Sequence, residues 1–169
     1  ISALSVLLLT MASCRDKVDY SLLDRWKGVY TVTAESYFGD AQEPPVTDYD
    51  EEWTVTVTRV EGSETKLAFT GIGGPTALTV YATLDPDALT ISFEPGQALG
   101  DVVGYGNVTV YYGTDDIIAH AGADIDPAII EAAASTKLTG TLSADGGIVI
   151  DRFAEIVEGP SVWDVFKTT

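Results

Sequence analysis

Aliphatic and threonine residues alternate along this chain with a period of two, and that pattern leaves little room for anything but β-sheet. From Glu52 to Val60, Trp53, Val55 and Val57 fall on one side, and Thr54, Thr56 and Thr58 on the other. Residues 77–84 repeat the pattern, with Leu78, Val80, Ala82 and Leu84 set against Thr79, Tyr81 and Thr83. Leu89, Ile91 and Phe93 alternate with Thr90 and Ser92, and Leu138, Gly140 and Leu142 with Thr139, Thr141 and Ser143. Successive strand side chains point to opposite faces, so a wet threonine face and a dry aliphatic face describe antiparallel sheet packed on one side.

The breaks between these runs carry turn chemistry: Glu61-Gly62-Ser63, Asp85-Pro86-Asp87, Tyr112-Gly113-Thr114-Asp115 and Asp145-Gly146. Strands are expected near 27–36, 50–60, 66–72, 77–84, 88–94, 106–112, 115–121, 136–143 and 147–151, with one or two more before Thr169. Connections this short favour sequential hairpins. The expected fold is all-β, an antiparallel up-and-down β-barrel of about eight to ten strands, because closure removes sheet edges. A β-sandwich is the alternative. One short helix is expected after Asp126, which can cap it, with Pro127 at the first helical position and residues 128–134 continuing it. It would plug an end of the barrel or cover a sheet face.

The chain opens ISALSVLLLTMASC. The apolar run from Ala3 to Leu9 suits a signal-peptide core and is too short to span a bilayer. Small residues at Ala12 and Ser13 ahead of Cys14 form a bacterial lipobox, in which the cysteine thiol is acylated and the chain is cut just before it. The expected organisation is therefore a signal peptide over residues 1–13, cropped at its start because Ile1 is not Met and no basic segment precedes the run. A lipidated Cys14 and a short tether follow over 14–25, then a β-barrel domain over 26–169. Cys14 is the sole cysteine, so no internal disulfide can form. Tyr20, Leu22 and Leu23 are placed to pack on the domain or to form a short helix.

Nine basic against 26 acidic residues leave a formal net charge of −17. Nucleic acid and phosphate-rich surfaces are repelled by such a chain; cations, neutral sugars, apolar ligands and basic protein surfaces are not.

The segment from Arg25 to Val32, the run Trp53-Thr54-Val55-Thr56-Val57, and Leu89-Thr90-Ile91-Ser92-Phe93 leading into Pro95-Gly96-Gln97 together resemble uncharacterised lipoproteins of gut Bacteroidota. Asp145-Gly146 ahead of a late strand and Trp163 near the end extend the resemblance over nearly all of the chain behind Cys14. It implies a lipid-anchored, lipocalin-like β-barrel, and it carries over no ligand-binding residue.

His120 is the only histidine and has no cysteine or histidine partner for a zinc site. No Gly-x-Ser-x-Gly elbow occurs. Asp48, Asp50, Glu51 and Glu52 cluster before one strand, and Asp115, Asp116, Asp124 and Asp126 flank the expected helix, but neither set forms a twelve-residue calcium loop. The Gly-rich stretches 71–75 and 104–107 lack the lysine and helix start of a phosphate loop and read as bends or bulges. Tyr81, Tyr105, Tyr111 and Tyr112 are the candidates for stacking on a ligand.

The expectation is a non-catalytic barrel, without cofactor or metal, tethered to the outer membrane through Cys14. It binds a small ligand, glycan or apolar, or an envelope protein, but not nucleic acid. Arg15 lacks the acidic character that retains some lipoproteins in the inner membrane, and neither face of the outer membrane is favoured. The alternative role is an accessory subunit of an outer-membrane assembly. A catalytic role requires two carboxyls in opposed environments lining one cleft.

Overall fold

A computed structural model describes residues 18–37 and 53–168 of the chain. The lipobox with Cys14 and the acidic cluster at Asp48, Asp50, Glu51 and Glu52 lie outside them. The strands are β1 (Gly28–Val32), β2 (Ala34–Ser36), β3 (Trp53–Arg59), β4 (Lys66–Thr70), β5 (Val80–Asp85), β6 (Thr90–Phe93), β7 (Gln97–Gly100), β8 (Val108–Tyr112), β9 (Leu138–Leu142), β10 (Ile148–Val157) and β11 (Ser161–Thr168). Two short helices, α1 (Asp115–Ile118) and α2 (Pro127–Ala133), interrupt them. Among the described residues no helix is long and apolar enough to cross a membrane.

All the ladders are antiparallel and belong to one sheet, which runs β1-β3-β4-β5-β6-β9-β10-β11-β2 with the β7–β8 hairpin attached to β10. The all-β expectation holds, but the sheet is neither two packed sheets nor a closed barrel, because no ladder joins its terminal strands β1 and β2. The physical reason lies in residues 28–36, expected as one strand. They are split at Thr33, and their halves serve opposite edges: β1 pairs with β3, and β2 with β11.

The meander is also interrupted between β6 and β9, where β7, β8 and both helices are inserted. Strand β10 absorbs the insertion by changing partners along its length. Residues Ile148–Ile150 pair with β9, and Phe153–Val157 pair with β8. At the change, Arg152 adopts φ 59°, a left-handed conformation that costs a non-glycine residue about 1–2 kcal/mol. Its guanidinium donates to the Gly113 carbonyl at 3.1 Å and to Asp115 at 2.7 Å, which fixes the bend against the start of α1. Next to it, Asp151 accepts a 2.8 Å hydrogen bond from the Tyr37 hydroxyl, whose pKa is pushed up to about 12 by burial and by that carboxylate.

One core fills the concave side. Val55, Val57, Leu67, Phe69, Ile91 and Phe93 are buried there, with Phe69 and Phe93 meeting edge to face at 5.1 Å. Gly140 on β9 sits between Ile91 and Ile150, where an added Cβ would stand 3.0–3.2 Å from their side chains. Leu23, in a 3-10 turn over Leu23–Arg25, and Trp26 join this core, so the residues just ahead of β1 do pack on the domain. Burial of each such side chain contributes roughly 1.5–3 kcal/mol.

A second core lies on the opposite face of β10 and β11. Ala154, Ile156, Val162 and Val165 pack there against Ile117, Ile118, Ile125 and Ala133 from the helical insertion. These two strands are thus buried on both faces. Helix α2 starts as expected: the Asp126 carboxylate accepts from the Ala128 N–H at 2.9 Å, and Pro127 follows. The strand expected at 115–121 is instead α1. Thr114 caps it by accepting from Ile117 N–H, and acidic Asp115 and Asp116 occupy its first turn, where the helix dipole favours them. Two adjacent isoleucines can both be buried from a helix, whereas a strand would turn one outward.

Two inward assignments also fail. Leu78 precedes β5 and is 55% exposed; Leu89 takes φ 53° in the β5–β6 turn and is 38% exposed. The Asp85 carboxylate organises that turn by accepting from the N–H groups of Asp87 and Ala88.

Candidate functional site

Strands β3, β10 and β11 and the two Gly-rich loops surround a cavity of about 580 Å³. Trp53, Phe153, Trp163 and Phe166 form its aromatic walls. Ile72, Gly73, Gly74 and Pro75 border it from one loop, and Val102 and Val103 from the other. Pro75 is exposed and the two valines half-buried, so the cavity is not sealed. Ligand sites span roughly 300–1,000 Å³. A second cavity beside Tyr30, Val55 and Ile148 measures only about 70 Å³ and has no room for more than a solvent molecule or two.

Among the described residues one acidic side chain, Glu155 on β10, lines the larger cavity. The alternation of β10 places it on the concave face with Phe153 and Val157, and it is 5% exposed. Opposite it across the ladder stands Asp164 of β11, also 5% exposed. Burial, and secondarily the charge of Asp164, push the Glu155 carboxyl up to about 8.

The two acids live differently. Asp164 accepts hydrogen bonds of 2.6 Å from the Ser36 hydroxyl and from the Val165 N–H. Glu155 has no hydrogen-bond partner among the described residues.

The β10–β11 ladder slips immediately beyond this pair: Glu155 faces Asp164, but Ile156 faces Val162, leaving Trp163 as the extra residue of a bulge. Trp163 is 38% exposed, and its ring lies 5.5 Å from that of Tyr105. Gly73 brings its loop against the same site. A Cβ there would fall 2.5 Å from Leu99 and 3.2 Å from the Glu155 carboxylate, so this bend depends on glycine for a close approach.

The four candidate tyrosines do not form one surface. Tyr81 is exposed on β5, where its backbone N–H and carbonyl are both bonded by the side-chain amide of Gln97, at 2.8 Å each. Tyr111 and Tyr112 are neighbours on a strand and so face opposite ways, Tyr111 against the second core and Tyr112 against the first. Only Tyr105 approaches the cavity, through Trp163. His120 is engaged with the Asp116 carbonyl at 2.7 Å. Asp115 pairs with Arg152, and Asp126 caps α2. Among the described residues no three histidine, cysteine or acidic side chains stand together to hold a metal ion.

Glu155 and Asp164 are not among the residues that the sequence singles out, and Trp163 stands out there only through the resemblance. The signal was an acid inside each of two apolar runs, Phe153-Ala154-Glu155-Ile156-Val157 and Val162-Trp163-Asp164-Val165-Phe166. No protein family, curated protein or solved structure matches this chain.

Proposed function

We propose that this protein is a lipid-anchored receptor of the bacterial outer membrane. It holds a small ligand, without catalysis, against the concave face of its open antiparallel sheet. The observation that carries this reading is the cavity of about 580 Å³ with four aromatic side chains in its wall. A mostly apolar concavity with one or two placed polar groups has the general character of a ligand site. The lipobox at Cys14 supports the envelope address, since acyl chains contribute about 0.8 kcal/mol per buried methylene to membrane attachment.

A catalytic site would need two carboxyls at the cavity wall. Glu155 stands there, while Asp164 is turned to Ser36 and to the β11 backbone. This difference favours binding over hydrolysis.

Two measurements test the reading. Palmitate labelling in cells should mark the wild-type protein and not Cys14→Ser; equal labelling of both removes the anchor. The neutral fluorophore N-phenylnaphthylamine should brighten on binding purified protein, and Val103→Trp, which places bulk at the half-buried wall, should suppress the signal. Absence of any binding by the wild type overturns the receptor reading.

A further inference from the structure

We propose that the cavity takes an organic cation with an apolar body, its charge seated against Glu155 and its body against Trp53, Phe153, Trp163 and Phe166. This rests on the receptor reading above and names the ligand's chemistry. Three observations carry it.

Glu155 is buried, lines the cavity, and has no hydrogen-bond partner among the described residues. Among the described residues no lysine, arginine or histidine lines the cavity with it. Among the described residues such a carboxylate meets neither a counter-charge nor a donor, an arrangement that is costly until something positive arrives. Asp164, directly opposite on β11, adds negative potential of the same sign. The element pairing with β10 on its other side presents Val110 opposite Glu155, and the Gly-rich loop presents Gly73, so neither sets a titratable group against Glu155.

The walls are aromatic. Indole and phenyl faces attract a cation placed over them, an effect that grows when water is excluded, and aromatic cages are a recurring way to hold ammonium groups. A neutral sugar would need several convergent hydrogen-bonding groups, and beyond Glu155 the lining side chains supply only the two indole N–H groups, Thr54 and Thr168. An anion meets the Glu155 carboxyl in the wall, with the like charge of Asp164 across the ladder from it. The chain's net charge of −17 also raises the local concentration of cations around the whole molecule.

The experiment uses purified protein and four probes: benzyltrimethylammonium, its neutral isostere neopentylbenzene, the anion phenylpropanoate, and N-phenylnaphthylamine as reference. Titration calorimetry and fluorophore displacement should show the cation binding about tenfold or more tighter than the isostere, with the anion failing to bind. Glu155→Gln should abolish that preference while still binding the neutral fluorophore. Independently of any variant, the wild type's affinity for the cation should rise between about pH 6 and about pH 9 as Glu155 ionises, while its affinity for the isostere stays level.

Equal affinity for cation and isostere overturns the inference and leaves the receptor reading intact. A cation preference that survives in Glu155→Gln and does not change with pH overturns the assignment to Glu155. If Glu155→Gln does not fold, the wild-type pH comparison decides. Failure of every probe, the neutral fluorophore included, overturns the receptor reading and this inference together.

Discussion

Glu155 and Asp164 stand directly opposite one another on adjacent antiparallel strands, on a buried face where cross-strand partners usually pack hydrocarbon against hydrocarbon. Like charges in that position repel and destabilise the ladder. Here the Ser36 hydroxyl and the Val165 N–H accommodate one acid, while the other keeps its proton well into the neutral range.

Stability should therefore fall as pH rises. The Glu155 carboxyl is raised from 4.5 in the free side chain to about 8 in the fold. Below pH 4.5 both states hold the proton and no penalty exists; above it the unfolded chain ionises first, and the stability is progressively lost until the folded carboxyl has also ionised near about pH 8. Thermal melts across this window should show the decline, and Glu155→Gln should flatten it and melt several degrees higher at the alkaline end. A wild-type melting temperature that is level over the same window contradicts the assignment.

The bend in β10 makes a graded prediction at one position. Arg152→Ala removes the bonds to Gly113 and Asp115 and keeps a Cβ at φ 59°, so it should cost about 1–3 kcal/mol in urea denaturation. Arg152→Gly relieves the backbone and should recover roughly 1 kcal/mol of that loss. Asp115→Asn should cost well under about 1 kcal/mol, because Asp115 is 89% exposed and its pairing is screened by solvent.

Gly73 is predicted to resist even a methyl group. Alanine there meets Leu99, which is fully buried, so the loop must shift away from the cavity. The expected outcome for Gly73→Ala is a loss of about 1–3 kcal/mol together with weaker N-phenylnaphthylamine binding. Wild-type stability and binding in this variant would show that the loop has another place to go.

Asp126→Ala should destabilise the helical insertion by about 1 kcal/mol, since it removes the side-chain acceptor for the Ala128 N–H. Hydrogen exchange should localise the effect to α2 and its contacts with the second core, leaving β3–β6 protected.

The strands with one wet face were legible because each reports its own burial through alternation. Trp53–Arg59 keeps Val55 and Val57 in and its threonines out, as the alternation requires. Where burial is two-sided, the alternation vanishes. Strands β10 and β11 are covered by the first core on one face and by α1 and α2 on the other, so Glu155 and Asp164 were lost in runs with no apparent inside. Helix α2 was visible through Asp126 and Pro127. Helix α1 was not, because four residues offer no period, and its cap at Thr114 lies within a run, Tyr112-Gly113-Thr114-Asp115, that has the chemistry of a hairpin turn. The split at Thr33 had no local signature either, since the choice of partner for each half is made by strands far along the chain.

That split constrains the order in which the molecule can be completed. Ala34–Ser36 have no strand to join until residues 161–168 have been synthesised, although Gly28–Val32 can pair with β3 as soon as residue 59 is made. Contacts this distant along a chain form slowly. During translation the protein must pass through a stage with one edge zipped and the other open, with Phe166 and Trp163 not yet made and the wall that carries Asp164 missing. The part of the cavity wall that carries Trp163 and Phe166 is therefore among the last to be put in place.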